Sequence, residues 1–134
     1  MRINQVLGGA IIGALFLLLA ITCRAAFLDG TRSKVKVVPD KMTADRGEKE
    51  YTDTLSFSKG KFSSKTFLAR GFKPADYRGE SEENEAEFEV EQTSDTNGVV
   101  TWQGEIRAKK VLGRLTWKKK DGTSLSYDFD GSKQ

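Results

Sequence analysis

From Glu85 to Gly131 apolar and polar residues alternate, and short turn signals interrupt the alternation. Ala86, Phe88 and Val90 alternate with Glu85, Glu87, Glu89 and Glu91. A strict period of two with one charged face describes a strand that is buried on one side and wet on the other. Val100, Trp102, Gly104 and Ile106 repeat the pattern, then Gly113, Leu115 and Trp117, then Leu125, Tyr127 and Phe129. Four antiparallel strands in sequence are therefore predicted.

Turn chemistry predicts how they pair. Thr96-Asn97-Gly98 and Lys120-Asp121-Gly122 place Gly where a three-residue hairpin loop needs a left-handed residue. A two-residue Asn97-Gly98 turn fails on parity, because it sets Val90 against Glu105. The three-residue loops predict Phe88 opposite Ile106 and Glu87 opposite Arg107. In the last hairpin they predict Trp117 opposite Leu125, Leu115 opposite Tyr127, and Arg114 opposite Asp128. Matched pairs of this kind contribute about 0.2–1 kcal/mol each. A loop over Ala108–Val111 sets Trp102 opposite Trp117 and Glu105 opposite Arg114.

The first half is patterned less clearly. Lys34–Val38 alternates and is stopped by Pro39, which cannot donate to a ladder. Asp40–Lys49 is polar and is predicted as a loop. Tyr51–Ser58 and the segment from Phe62 form a hairpin around Lys59-Gly60, with Phe57 opposite Phe62. Ser63 or Ser64 caps a short helix that ends at Leu68 or Ala69, with Gly71 as the stop and with Phe67 and Leu68 packed on the sheet. Phe72–Arg78 is a further strand candidate, interrupted by Pro74, and Gly79–Asn84 is predicted as an acidic loop. Seven or eight strands joined as sequential hairpins predict an all-β, up-and-down antiparallel meander. It hides its apolar face by closing as a small barrel.

The chain begins differently. Arg2 precedes an uncharged run from Ile3 to Cys23, which has the form of a secretory signal and the length of a membrane helix. Small residues at Cys23 and Ala25 suit cleavage after Ala25. Ala20-Ile21-Thr22-Cys23 resembles a lipobox, in which Cys23 carries a lipid anchor. Residues 1–25 are thus read as a signal peptide or membrane anchor, 26–33 as a linker and 34–134 as the barrel domain. The protein is expected to be exported, periplasmic or secreted, and any contact with a membrane to come through the N-terminal segment.

Composition narrows the chemistry. Of the 22 basic residues Arg2 and Arg24 precede Ala26, which leaves 20 against 19 acidic, a net charge of +1. That balance predicts no nucleic-acid partner. The chain has no His and its one Cys is Cys23. Serine triads, Cys–His pairs and ordinary zinc sites need residues it lacks. The paired acids Asp128 and Asp130 fall on the predicted outer face, where general acid–base chemistry has no cleft. No enzyme activity, cofactor or metal is expected.

The Asp53–Phe62 hairpin, Gly71-Phe72 after a short helix, and Val100-Thr101-Trp102-Gln103-Gly104 resemble small exported bacterial proteins of uncharacterised function with lipocalin-like or avidin-like barrels. The resemblance runs from about Lys34 onward and lies in architecture and loose spacing. It implies a barrel that carries a small ligand. The Gly-x-Trp motif of lipocalins is absent from Lys34–Val38.

Three groups of residues are functional candidates. The inward aromatics Phe57, Phe62, Phe88, Trp102, Trp117, Tyr127 and Phe129 either line a cavity for a small apolar or amphipathic ligand or fill the core. Gly104 and Gly113 leave room for a ligand or for a neighbouring ring. The glutamates from Glu80 to Glu91 form a calcium site, a surface for a cationic partner, or a solvated face paired with Arg107 and Lys109. The basic residues Arg107, Lys109, Lys110, Arg114 and Lys118–Lys120 dock an anionic envelope component or protect strand edges. Two functions follow. One is an exported non-enzymatic ligand-binding barrel. The other is a structural or interaction protein of the envelope with a filled core and a charged binding surface.

Overall fold

The computed structural model describes residues 26–134. The leader or anchor expected in residues 1–25 and the lipid attachment considered at Cys23 lie outside the described residues. Eight strands run in chain order: β1 Arg32–Pro39, β2 Tyr51–Ser58, β3 Lys61–Ser64, β4 Ala75–Glu82, β5 Glu85–Ser94, β6 Gly98–Arg107, β7 Lys110–Lys118 and β8 Ser124–Lys133. Each pairs antiparallel with the next, and β8 returns to pair with β1, so the meander closes as an up-and-down barrel. Two short helices interrupt it, α1 at Lys41–Asp45 and α2 at Lys65–Leu68.

The barrel has two distinct ends. The turns Lys59-Gly60, Glu83-Asn84 and Ala108-Lys109 lie at one, together with the segment from Ala26 to Thr31 and the C-terminal Gln134, whose N–H bonds to Arg32 O at 2.7 Å. We call this the strap end. Both helices, the β5–β6 loop and the β7–β8 loop lie at the other, the helix end.

The alternation predicts the faces correctly. The seven predicted inward aromatics are all buried, as are Val35, Val37, Leu55, Val90, Val100, Ile106, Leu115 and Leu125. The last hairpin has the predicted register, with Trp117 opposite Leu125 and Arg114 opposite Asp128. Phe57 lies opposite Phe62 across a turn in which Lys59 and Gly60 both have positive φ.

Two registers differ from expectation. Phe88 lies opposite Gly104, not Ile106, and Glu87 opposite Glu105, not Arg107. Trp102 lies opposite Leu115, not Trp117, and Glu105 opposite Leu112, not Arg114, across a two-residue turn at Ala108-Lys109. Both are shifts of two residues, which leave every side chain on its predicted face. Ring packing selects the observed pairing. Gly104 and Gly113 lie opposite one another, and a Cβ on Gly104 would sit 2.5 Å from Phe88 Cζ and 2.9 Å from Phe129 Cζ. The two phenylalanine rings therefore pack directly on glycine backbone, closer than any other residue permits.

Other boundaries moved as well. The strand expected at Phe72–Arg78 is β4, Ala75–Glu82, and it takes in most of the stretch expected to be an acidic loop. Its inward-parity positions are Ala75, Tyr77, Gly79 and Ser81, so two apolar residues at its start are all that signals it. The edge of β5 needs a partner for its amides, and β4 supplies one from Tyr77 to Glu82. The polar stretch Asp40–Lys49 contains α1, capped by Asp40, which accepts from Thr43 N at 2.9 Å. Ser64 caps α2, as expected, and Gly71 follows it at φ +89. Phe67 is buried, but Leu68 is exposed; Phe72 is buried and packs edge-on against Phe67 and Trp117.

Candidate functional site

The candidate aromatics form one cluster. Ring centroids step from Phe27 to Tyr77 (5.6 Å), Phe57 (4.8 Å), Phe62 (5.3 Å), Trp102 (4.9 Å), Phe67 (5.8 Å) and Trp117 (5.2 Å). These spacings are those of rings in contact. The chain crosses the barrel from the strap end to the helix end. Phe88 joins it 5.0 Å from Phe57, and Phe129 joins it 5.6 Å from Trp102. Tyr127 lies 5.9 Å from Tyr51.

The polar atoms of these side chains bond within the protein. Trp102 Nε1 donates to Gln92 Oε1 at 2.8 Å, and Gln92 Nε2 donates to Lys73 O at 2.9 Å. Trp117 Nε1 donates to Asn97 O at 2.7 Å. Tyr127 Oη donates to Glu48 Oε1 at 2.7 Å. Burial and that carboxylate push the Tyr127 phenol well above its usual range. Gln92 shares the parity of Phe88 and Val90, and Asp53 that of Leu55 and Phe57. Parity alone thus places two polar residues in the core that a search for rings passes over.

The helix end is closed by α2. Buried Asp53 accepts from Thr54 N (2.8 Å), Thr66 N (3.0 Å) and Ser64 Oγ. Ser64 Oγ in turn accepts from Phe67 N at 3.1 Å. This network fixes the start of α2 and aims Phe67 into the core. Arg70 follows the helix, with its guanidinium 5.0 Å from the centroids of both Phe67 and Trp117. Such cation–π contacts offset part of the cost of holding a cation there. Asn97 Nδ2 donates to Arg70 O at 2.6 Å and so ties the β5–β6 loop to the plug.

The strap end is closed by chain rather than by helix. Leu28 is buried, and its N–H donates to Tyr77 Oη at 2.9 Å. Tyr77 Oη donates to Asp29 Oδ1 at 2.7 Å, and the same carboxylate accepts from Gly60 N at 3.0 Å. Burial first, then the Asp29 carboxylate, push the Tyr77 phenol up to about 12.

The charged candidates separate into different environments. Arg107, Lys110 and Arg114 pair on the barrel wall with Glu105 (2.7 Å), Asp130 (3.5 Å) and Asp128 (3.1 Å). Lys109 sits in the turn at the strap end. Lys118–Lys120 lie at the helix end, where Lys119 Nζ is 4.8 Å from the Trp117 centroid. The β5 glutamates have other basic neighbours than expected, with Arg107 opposite Glu85. Arg78 pairs with Glu89 at 3.0 Å, but Glu87 has Glu80 opposite it on β4 and Glu105 opposite it on β6. Glu80, Glu87, Glu89 and Glu105 line an outer groove of about 540 Å³, floored by Gly79, Gly104 and Gly113. Among the described residues no group of three or more acidic, histidine or cysteine side chains is disposed to hold a metal ion. A second groove, of about 290 Å³, lies at the helix end between Asn97, Trp117, Lys119 and Lys120.

Fold and site together define a small closed eight-stranded antiparallel barrel with a buried aromatic core. Compared with protein-family models, with curated proteins and with solved structures, the chain matches none.

Proposed function

We propose that the protein is an exported, non-enzymatic module of the cell envelope that acts through its charged outer surface rather than through an internal ligand cup. The unbroken run of ring contacts between two closed ends carries this reading. The aromatic side chains that would grip a ligand grip one another, and the indole N–H groups bond to Gln92 and Asn97. The apolar segment ahead of Ala26 supports export. The non-enzymatic character rests on the missing His, the lone Cys23 and the acids Asp128 and Asp130, which pair with cations on the outer wall.

Two measurements test it. An intact mass spectrum of the protein from its own cells, native and then denatured, is expected to show no mass that leaves on denaturation. A released small molecule would instead establish the ligand-binding barrel. Trp117→Ala is expected to lower stability by about 3–5 kcal/mol, as for an aromatic lost from a packed core. A near-neutral change would mean that the ring faces open space.

A further inference from the structure

We propose that the helix end is a docking face for an anionic lipid bilayer. The inference rests on the surface-acting reading above and names the surface and its partner. Its first basis is the distribution of unpaired charge. On the wall, Lys36, Lys61, Arg78, Arg107, Lys110 and Arg114 each make an ion pair. At the helix end, Arg46, Lys65, Lys73, Lys118, Lys119 and Lys120 make none among the described residues; Lys34 on the wall and Arg32, Lys59, Lys109 and Lys133 at the strap end are unpaired too, but no large apolar side chain is exposed at the strap end. Three of the acids there are occupied at the helix end. Asp40 and Asp121 accept from backbone N–H groups of Thr43 and Thr123, which hold both carboxyls below their ordinary range, and Asp45 pairs with Lys41.

The second basis is independent of charge. Four large apolar side chains are exposed among the described residues: Val38 (41 %), Met42 (75 %), Leu68 (50 %) and Leu112 (36 %). Single exposed apolar residues need no explanation. Here the two most exposed, Met42 on α1 and Leu68 on α2, both stand at the helix end among its unpaired cations, and Val38 is at the adjoining tip of β1. Leu112 alone lies elsewhere, in the acidic groove. Protruding apolar groups among basic residues suit the boundary between anionic headgroups and acyl chains, where each Lys or Arg near the surface contributes about 1 kcal/mol. A soluble polyanion would be held by the cations alone and would leave Met42 and Leu68 without a role. Ala26 and Gln134 both lie at the strap end, on the far side of the barrel from the docking face.

The test uses the full chain as recovered from its cells. Vesicles of phosphatidylcholine alone, vesicles that also contain phosphatidylglycerol, and soluble polyphosphate are each titrated in, and amide hydrogen exchange locates the contact. Phosphatidylglycerol vesicles are expected to slow exchange over residues 65–73 and 118–122 and to leave the turns at 59–60 and 83–84 unchanged. Because ends and lipid compositions are compared within one chain, an apolar segment ahead of Ala26 does not mimic this result. The triple variant Lys73→Ser, Lys118→Ser, Lys120→Ser is expected to bind those vesicles about a hundredfold more weakly. The double variant Met42→Ser, Leu68→Ser is expected to bind several-fold more weakly, with its thermal midpoint retained because both residues are exposed. Equal binding to neutral vesicles, or protection at the strap end, would overturn the proposal. So would a polyphosphate that reproduces the protection while the double variant changes nothing, which would make the partner a soluble polyanion. Each of these results leaves the surface-acting reading standing, whereas a retained small-molecule mass removes that reading whatever the vesicles show.

Discussion

At the strap end the barrel is closed by a turn of chain hung on Asp29, which accepts from Tyr77 Oη and Gly60 N. At the helix end it is closed by α2, whose Phe67 enters the core and touches both tryptophans. One closure adds a little buried surface to a core that is already complete, and depends on a solvent-exposed carboxylate. The other is part of the core, and its polar anchor, Asp53, is itself buried. Local opening follows the least buried contacts. The strap end is therefore the cheaper to open, and the helix end holds its shape while presenting cations and apolar side chains outside.

Removing the plug should have the largest effect. Phe67→Ala is expected to cost about 3–5 kcal/mol in denaturant unfolding, while Leu68→Ala, one residue on, should stay within about 0.5 kcal/mol. Similar losses at the two positions would mean that α2 is not seated as described. Next comes its anchor. Asp53→Ala leaves two backbone N–H groups and the Ser64 hydroxyl without their acceptor, and about 2–3 kcal/mol of destabilisation is expected. The corresponding change at the strap end, Asp29→Ala, should cost about 1 kcal/mol, because water reaches the groups it frees. A greater loss at Asp29 than at Asp53 would reverse the ranking of the ends.

The smallest effect concerns pH. The Tyr77 phenol, raised to about 12 in the folded chain, gains a proton on folding relative to its ordinary value near 10. A raised acid of this kind gives stability that is complete below pH 10 and is lost as pH rises toward 12. Tyr51 and Tyr127 are shifted in the same direction, chiefly by burial. Tyrosinate absorbance should therefore stay low past pH 10 and then rise with unfolding. Tyr77→Phe should flatten the fall in stability between pH 10 and 12. A tyrosine that ionises near pH 10 with the fold intact would contradict the burial.

Much of this fold is legible in the sequence, and the misses share a cause. Alternation in β5 to β8 assigns each side chain to a face, and those assignments hold. The turn Lys120-Asp121-Gly122 also carries its own length, so the last hairpin has the expected register. Between β5 and β6, and between β6 and β7, a shift of two residues keeps every face the same, so no pattern of apolar residues distinguishes one register from the other. β4 is obscured because Gly79 and Ser81 take its inward positions. The candidate site was less legible than the fold. All seven aromatics are where parity puts them, but parity does not say whether rings touch. The basic residues read as one set, although Arg107, Lys110 and Arg114 pair on the wall while Lys109 at the strap end and Lys118–Lys120 at the helix end do not.

Strand faces, the hairpin order and the closed meander follow from the sequence by itself, because a period of two and a turn residue are properties of a few neighbouring positions. Register, the contacts among the buried rings and the location of the ion pairs were decided only by the tertiary structure. Phe88 meets Gly104 and Phe129 meets Gly113 across strands. Phe67 joins the core through Asp53, and Lys119 reaches Trp117 rather than a carboxylate. Each depends on which distant residues the closing barrel brings within a few ångströms, and on the ring volumes and charge pairs that then have to fit together.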